Sequence, residues 1–265
     1  MSCDLEFDVV DHATIALHVA VADTAGATSG EQLTVSSGGG RPLDVTELGT
    51  EHGGRLHTFT SGAGRILVSY QAVVDLRAAG GDPVDATESI VGLRQSRYCP
   101  SDVLMSFAET EQIGTTNGTD RGREVAEWVH RRLLYDLSAT GSFDTAIDTL
   151  LAGRGVCRDF AHLTIALCRA VGIPARLVSA YAPGLWPMDF HAVVEVVADR
   201  TWVVLDPTRL APRSSLVRIG TGRDASDTAF STTLSGQADL VFHQVGAWVD
   251  GDFPFDDHTG RVLMP

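Results

Sequence analysis

Gly153-Arg154-Gly155-Val156-Cys157-Arg158-Asp159-Phe160-Ala161-His162 carries a single cysteine where a glycine-flexed loop turns into a helix. Phe160, Leu163, Thr164, Leu167, Ala170 and Val171 follow at helical spacing, and Gly172-Ile173-Pro174 supplies a stop. Cys157 keeps register with that stripe and falls in the first turn, so its sulfur points toward whatever the helix packs on. The unpaired N–H groups of a first turn stabilise a thiolate, and the same backbone can donate to an oxyanion. Cys168 lies mid-helix among Ala166, Leu167 and Ala170 and reads as packing.

An imidazole and a carboxylate follow downstream, in Phe190-His191-Ala192-Val193 and Val204-Leu205-Asp206-Pro207. Residues 190–197 and 201–206 are apolar runs, and Ala198-Asp199-Arg200 between them has turn character, so the spacing predicts a hairpin. A two-residue turn at 198 and 199 pairs 197 with 200, and hence His191 with Asp206. Their Cβ atoms would then stand about 5 Å apart on one face. A four-residue loop shifts the partner by two and preserves the face, whereas a three-residue turn without a bulge puts them on opposite faces. Thiol, base and orienting acid are the parts of a cysteine nucleophile.

The block from Gly155 to Leu163, with His191 and the stretch from Trp202 to Thr208, resembles the transglutaminase-like superfamily. Ser96-Arg97-Tyr98-Cys99-Pro100-Ser101-Asp102, Gly172-Ile173-Pro174-Ala175-Arg176 and Gly222-Arg223-Asp224-Ala225-Ser226-Asp227 resemble its bacterial branch, so the likeness runs from about residue 97 to 235. Val193 stands where bacterial members often carry tryptophan. The resemblance implies a papain-like α+β core with a Cys-His-Asp triad of Cys157, His191 and Asp206, acting by acyl transfer without a cofactor. It favours hydrolysis of peptide or amide bonds through a thioester, because the bacterial members it matches are cysteine-protease-like and the sequence has no calcium-loop signature. Transfer of the acyl group to an amine, as in a protein-glutamine transglutaminase, is the first alternative. A catalytically inert module on the same fold is the second. Arylamine acetyltransferases use the same residue types with acetyl-coenzyme A, but Gly-Arg-Gly-Val-Cys does not match the Arg-Gly-Gly context of their cysteine.

Around the triad, Tyr135 is expected as a wall residue or second oxyanion donor from loose family position. Asp159 reads equally as a first-turn acid or a substrate contact. Trp186 and Asp189, just before the His191 strand, are placed to shape the cleft, although a loop anchor explains Trp186 more simply. His162 reads as a satisfied helix histidine, and the remaining histidines are scattered without the spacing of a metal site.

The rest of the chain bounds this reading. The 265 residues suffice for one large or two modest cores, and 44% hydrophobic with 20% charged residues is ordinary for a globular protein. A net charge of −14 disfavours nucleic acid or an anionic membrane as partner and suits a neutral or cationic peptide, protein or small amide substrate. Nothing assigns an oligomeric state. All 20 basic residues are arginine, which reads first as coding or solubility bias. The start Met1-Ser2-Cys3-Asp4-Leu5-Glu6 lacks a basic n-region, no apolar run could span a bilayer, and the cysteines have no paired spacing. The expectation is a cytoplasmic protein with free thiols.

Two domains are expected, 1–97 and 98–265. Alternation at Ile15, Leu17 and Val19, a β-prone run from Arg65 to Leu76, and turns at Gly38-Gly39-Gly40, Gly53-Gly54 and Gly80-Gly81-Asp82-Pro83 predict an N-terminal β-sandwich. Helices are expected over 120–138 and 144–151, ahead of the Cys157 helix. Strands are then expected over 175–181, the hairpin, 228–234 and 240–248.

Overall fold

In a computed structural model that describes residues 1–77, 80, 83–115, 120–139 and 141–265, the chain is an α+β protein with two antiparallel sheets. In chain order come β1 (Ser2–Leu17), β2 (Gly26–Ser37), β3 (Thr46–Gly49), β4 (Arg55–Leu76), α1 (Ala86–Leu93), α2 (Met105–Thr110), α3 (Arg121–Arg132), β5 (Leu134–Tyr135), α4 (Ala146–Ala152) and β6 (Arg154–Gly155). They are followed by α5 (Cys157–Ala170), β7 (Ala175–Tyr181), β8 (Phe190–Ala198), β9 (Thr201–Leu205), β10 (Val217–Gly222), α6 (Ala225–Thr228) and β11 (Ser231–Gly246).

The sheet that positions the site has the order β10-β7-β8-β9. Helix α5 lies on it and is buried along nearly its whole length, because α3 and α4 cover the sides that the sheet leaves open. Phe160, Leu163 and Leu167 share one core with Leu177, Val194 and Leu205. Each fully buried side chain of this size stabilises the fold by about 1.5–3 kcal/mol relative to exposure. Residues 247–265 run along the open side of β9, where Val204 donates to Val262 O at 2.9 Å and buried Arg213 pairs with Asp256, so this edge is closed.

The N-terminal strands differ from the expected sandwich. They form a single five-stranded sheet in the order β11-β1-β4-β2, with β3 also on β4. Its fifth strand comes from residues 231–246, which fall within the expected 98–265 domain. The two strands expected over 228–234 and 240–248 are one strand, accommodated on β1 by register shifts. The partner layer of this sheet is the site-bearing sheet itself: Tyr181, Val217 and Ile219 join Leu5, Phe7, Ile15, Ile66 and Tyr70 in one core. The Tyr181 hydroxyl donates to Val19 O at 2.9 Å across that junction.

Three local expectations are also corrected. Helix α3 stops at Arg132 rather than 138, since Leu133 is extended and the chain then pairs in parallel with β6, Leu134 opposite Arg154 and Tyr135 opposite Gly155. Helices α1 and α2 lie where the sequence shows no strong periodicity. For α1 the signal was its cap: Asp85 Oδ1 accepts from the Glu88 N–H at 2.8 Å, and Glu88 Oε2 accepts from the Asp85 N–H at 3.1 Å. The β8–β9 turn falls on Asp199 and Arg200, both with positive φ (50° and 61°), so Ala198 pairs with Thr201 and Val194 with Leu205. Gly81 and Asp82 of the expected turn at 80–83 lie outside the described residues.

Candidate active site

Cys157 occupies the first position of α5, and three devices hold it there. Gly153 ends α4 in the left-handed region at φ 67°, the short β5–β6 pairing fixes the next two residues, and the Asp159 carboxylate ties back the turn. Asp159 Oδ2 accepts from the Val156 N–H at 2.9 Å, and Oδ1 accepts from Arg158 Nε and Nη2 at 3.2 and 3.0 Å. A Cβ at Gly155 would stand 2.6 Å from the Asp159 Cβ, so glycine is required for this closeness. Asp159 is buried and engaged by its own turn, which is the first-turn acid reading.

His191 and Asp206 are both buried, and Asp206 Oδ2 stands 2.9 Å from His191 Nε2. An ionised carboxylate only accepts, so Nε2 carries the proton and donates it. The other oxygen, Oδ1, accepts from the Thr208 N–H at 2.9 Å and from its hydroxyl at 2.6 Å, which fixes the carboxylate plane. His130 on α3 contacts Pro207 O through Nδ1 at 2.9 Å and ties the same turn to the helical layer. No sequence pattern marked His130 for this position.

The contact forms although the register is not the one expected. Because the turn sits one residue later, Asp206 lies just beyond the end of β9, two positions from direct pairing with His191. A shift of two preserves the face, and the two side chains meet diagonally.

The second ring nitrogen, His191 Nδ1, is buried and makes no hydrogen bond of ordinary geometry. Burial works against a charged ring, yet the Asp206 carboxylate, with a further contribution from the Cys157 thiol, raises the imidazole pKa to about 10. The thiol is therefore adjacent to the ring without being locked to it, as in unliganded sites where such contacts are long. Cys157 is also partly exposed, whereas Cys3, Cys99 and Cys168 are buried.

Of the surrounding candidates, Tyr135 is at the site. Burial and then the Cys157 thiol, with Asp189 and Asp206 beyond, hold its hydroxyl protonated, against the opposing effect of the Cys157 N–H. Its ring tilts on Phe160 at 5.9 Å. Trp186 is 83% exposed on the loop before β8. Asp189 is exposed at the start of β8, where Oδ1 accepts from the Phe190 N–H at 2.7 Å and Oδ2 stands 3.7 Å from Nε2 of His243. His243 was missed, since it arrives on β11, far away in sequence.

His162 packs away from this chemistry. Its ring stacks on Tyr98 with centroids 5.1 Å apart, Nε2 accepts from the Ala225 N–H at 3.1 Å, and burial lowers its pKa to about 3, keeping it neutral. Asp224 accepts from the Tyr98 N–H at 2.8 Å and from the N–H and hydroxyl of Ser226, so the stretches around residues 98 and 224 form a clamp beside α5.

Known proteins share this fold. The profile of the transglutaminase-like superfamily matches residues 108–207, a span that contains Cys157, His191 and Asp206. A crystal structure from Cytophaga hutchinsonii, described as that of a candidate cysteine protease, superposes with a TM-score of 0.89 at 32% identity, over 100% of this chain and 96% of that one. A Mycobacterium leprae protein is 36% identical over 115 residues, 39% of this chain and 40% of its own length. A Mycobacterium tuberculosis protein is 31% identical over 121 residues, 40% of this chain and 38% of its own length. The match thus spans about two fifths of these curated relatives. With a full-length structural match at this identity and the family profile laid over the Cys157 helix and the His191 hairpin, the chain belongs to the transglutaminase-like superfamily.

Proposed function

We propose that the protein is a cysteine acyl-transfer enzyme that hydrolyses peptide or amide bonds through a thioester on Cys157. The observation that carries this reading is the buried His191–Asp206 contact at 2.9 Å, which leaves Nδ1 of the ring to the thiol at the start of α5. The Cys157 sulfur attacks the carbonyl as a thiolate, with its proton held on His191 Nδ1. The tetrahedral oxyanion is met by the Cys157 N–H, with the protonated Tyr135 hydroxyl as a second donor. Collapse breaks the C–N bond, and His191 returns its proton to the leaving amine. Water, deprotonated by the same ring, then releases the acid and restores the thiol. Asp206 keeps Nε2 protonated and stabilises the imidazolium throughout.

Four free thiols suit a reducing compartment, and we place the protein in the cytoplasm on that ground. Among the described residues no helix is long and apolar enough to cross a membrane. The deciding experiment is a screen of peptide and amide substrates on wild type and Cys157→Ala. Turnover that disappears with the sulfur supports the reading, and turnover that survives the substitution refutes it.

A further inference from the structure

Asp189 is the exposed acid of the site, whereas Asp159 and Asp206 are buried against Arg158 and His191. The chain has 20 arginines, and the buried or half-buried carboxylates of Glu31, Asp159, Glu195 and Asp256 each pair with at least one. Among the described residues, the one basic side chain within ion-pair range of Asp189 is His243, at 3.7 Å, and both side chains are 50% exposed. Oδ1 accepts from the Phe190 N–H at 2.7 Å, which orients the carboxylate, and Oδ2 is the oxygen nearer His243.

Its position relative to the thiol chemistry follows from the backbone. Asp189 immediately precedes β8 and stands two residues before His191, so its Cα lies within about 7 Å of the Cα of the proposed base. After burial, the charges of both the Cys157 sulfur and Asp189 help hold the Tyr135 hydroxyl protonated, so the carboxylate shares an electrostatic environment with the thiol. Holding an ionised carboxylate here without a paired guanidinium maintains a local negative potential that a cationic ligand would relieve.

We propose that Asp189 is a specificity-determining residue that receives a positively charged group of the acyl substrate, an ammonium or guanidinium about one to two residues from the scissile carbonyl. This rests on the reading of Cys157 as the nucleophile and adds the substrate class to it: cationic rather than neutral or acidic acyl donors. A charge-assisted contact of this kind is expected to favour the cationic substrate by roughly tenfold or more.

The test uses the intact protein and needs no substrate. Rates of modification at Cys157 are measured by mass spectrometry with two methanethiosulfonates of similar size, one carrying a trimethylammonium and the other a sulfonate, at matched concentration and 0.15 M salt. The thiolate displaces methanesulfinate and forms a mixed disulfide in either case, so only the probe's charge differs. The cationic probe is expected to react at least roughly tenfold faster, with the ratio collapsing toward one in Asp189→Asn. Asp11→Asn removes an equal charge from an exposed position on β1 and controls for the overall field. A ratio near one in the wild type, or a ratio that persists in Asp189→Asn, overturns the assignment of Asp189 while leaving the nucleophile reading intact. Failure of Cys157 to react with either probe overturns both.

Discussion

His191 Nε2 and Asp206 Oδ2 meet at 2.9 Å with both side chains fully excluded from solvent. In water such a pair contributes little, but here neither partner can be removed without leaving a buried polar group unmatched.

The alkaline limb of the stability curve tests that pair. The His191 pKa is raised to about 10, against about 6.5 for an unfolded histidine. A raised folded-state pKa contributes stability that is fully present below the unfolded value and is lost as pH climbs through the folded one. Urea midpoints of the wild type are therefore expected to fall between pH 7 and 10 more steeply than those of Asp206→Asn, where the ring has lost its carboxylate. Parallel curves for the two proteins would contradict the ion pair.

Thiol accessibility gives a second test. Burial pushes the Cys3 and Cys168 thiols up to about 12 and the Cys99 thiol higher still, so all three are protonated as well as hidden at neutral pH. Iodoacetamide is expected to add one equivalent to the native protein, at Cys157, and four after denaturation. Comparable native labelling at another cysteine would count against the nucleophile assignment.

On the far side of the site-bearing sheet, Glu195 is buried between Arg176 and Arg218, with contacts of 2.7 and 2.6 Å. Burial opposes its ionisation, but the two guanidinium groups lower the carboxyl pKa to about 2. A depressed pKa contributes stability that is present above the unfolded value, about 4.3, and lost as pH falls through the folded one. Glu195→Gln is expected to cost about 3–5 kcal/mol near pH 7, because two buried guanidinium groups lose their counter-charge. It should also flatten the acid limb between pH 5 and 2. A loss below about 1 kcal/mol in urea titration would show that the arginines find other partners.

Much of the site could be read from the chain because its signals are local. A glycine-flexed loop before a helical stripe placed Cys157 at the start of α5, and two apolar runs around a short turn put His191 and Asp206 on one face. The register moved by two because Asp199 and Arg200 both take left-handed conformations, and that parity left the face unchanged. The less legible parts depend on contacts between distant segments. β11 completes the sheet begun by β1, and His130 and His243 reach the site from α3 and β11, so their roles have no local period to betray them. The end of α3 was missed for a similar reason, since the β5–β6 pairing overrides helix propensity at Leu133.

The acyl acceptor is the remaining choice, and product analysis separates water from amine. On the proposed mechanism, once a thioester forms on Cys157, either nucleophile must reach the carbonyl and lose a proton to His191. If Asp189 receives cations as proposed, an arriving ammonium could occupy it as readily as a cationic acyl donor, so affinity for cations alone does not make a transferase. What decides is whether a second chain fits while the acyl group is in place. Incubation of a cleaved substrate with rising concentrations of a primary amine, followed by mass spectrometry, is expected to yield the free acid throughout, with new amide a minor product. Asp206→Asn should lower both products together by about 10²–10⁴-fold, because it impairs the base that both steps share. Amide as the dominant product would reassign the protein from hydrolase to transferase with the same three residues in the same roles. A change in the acid-to-amide ratio on Asp206→Asn would show instead that the two acceptors do not share His191.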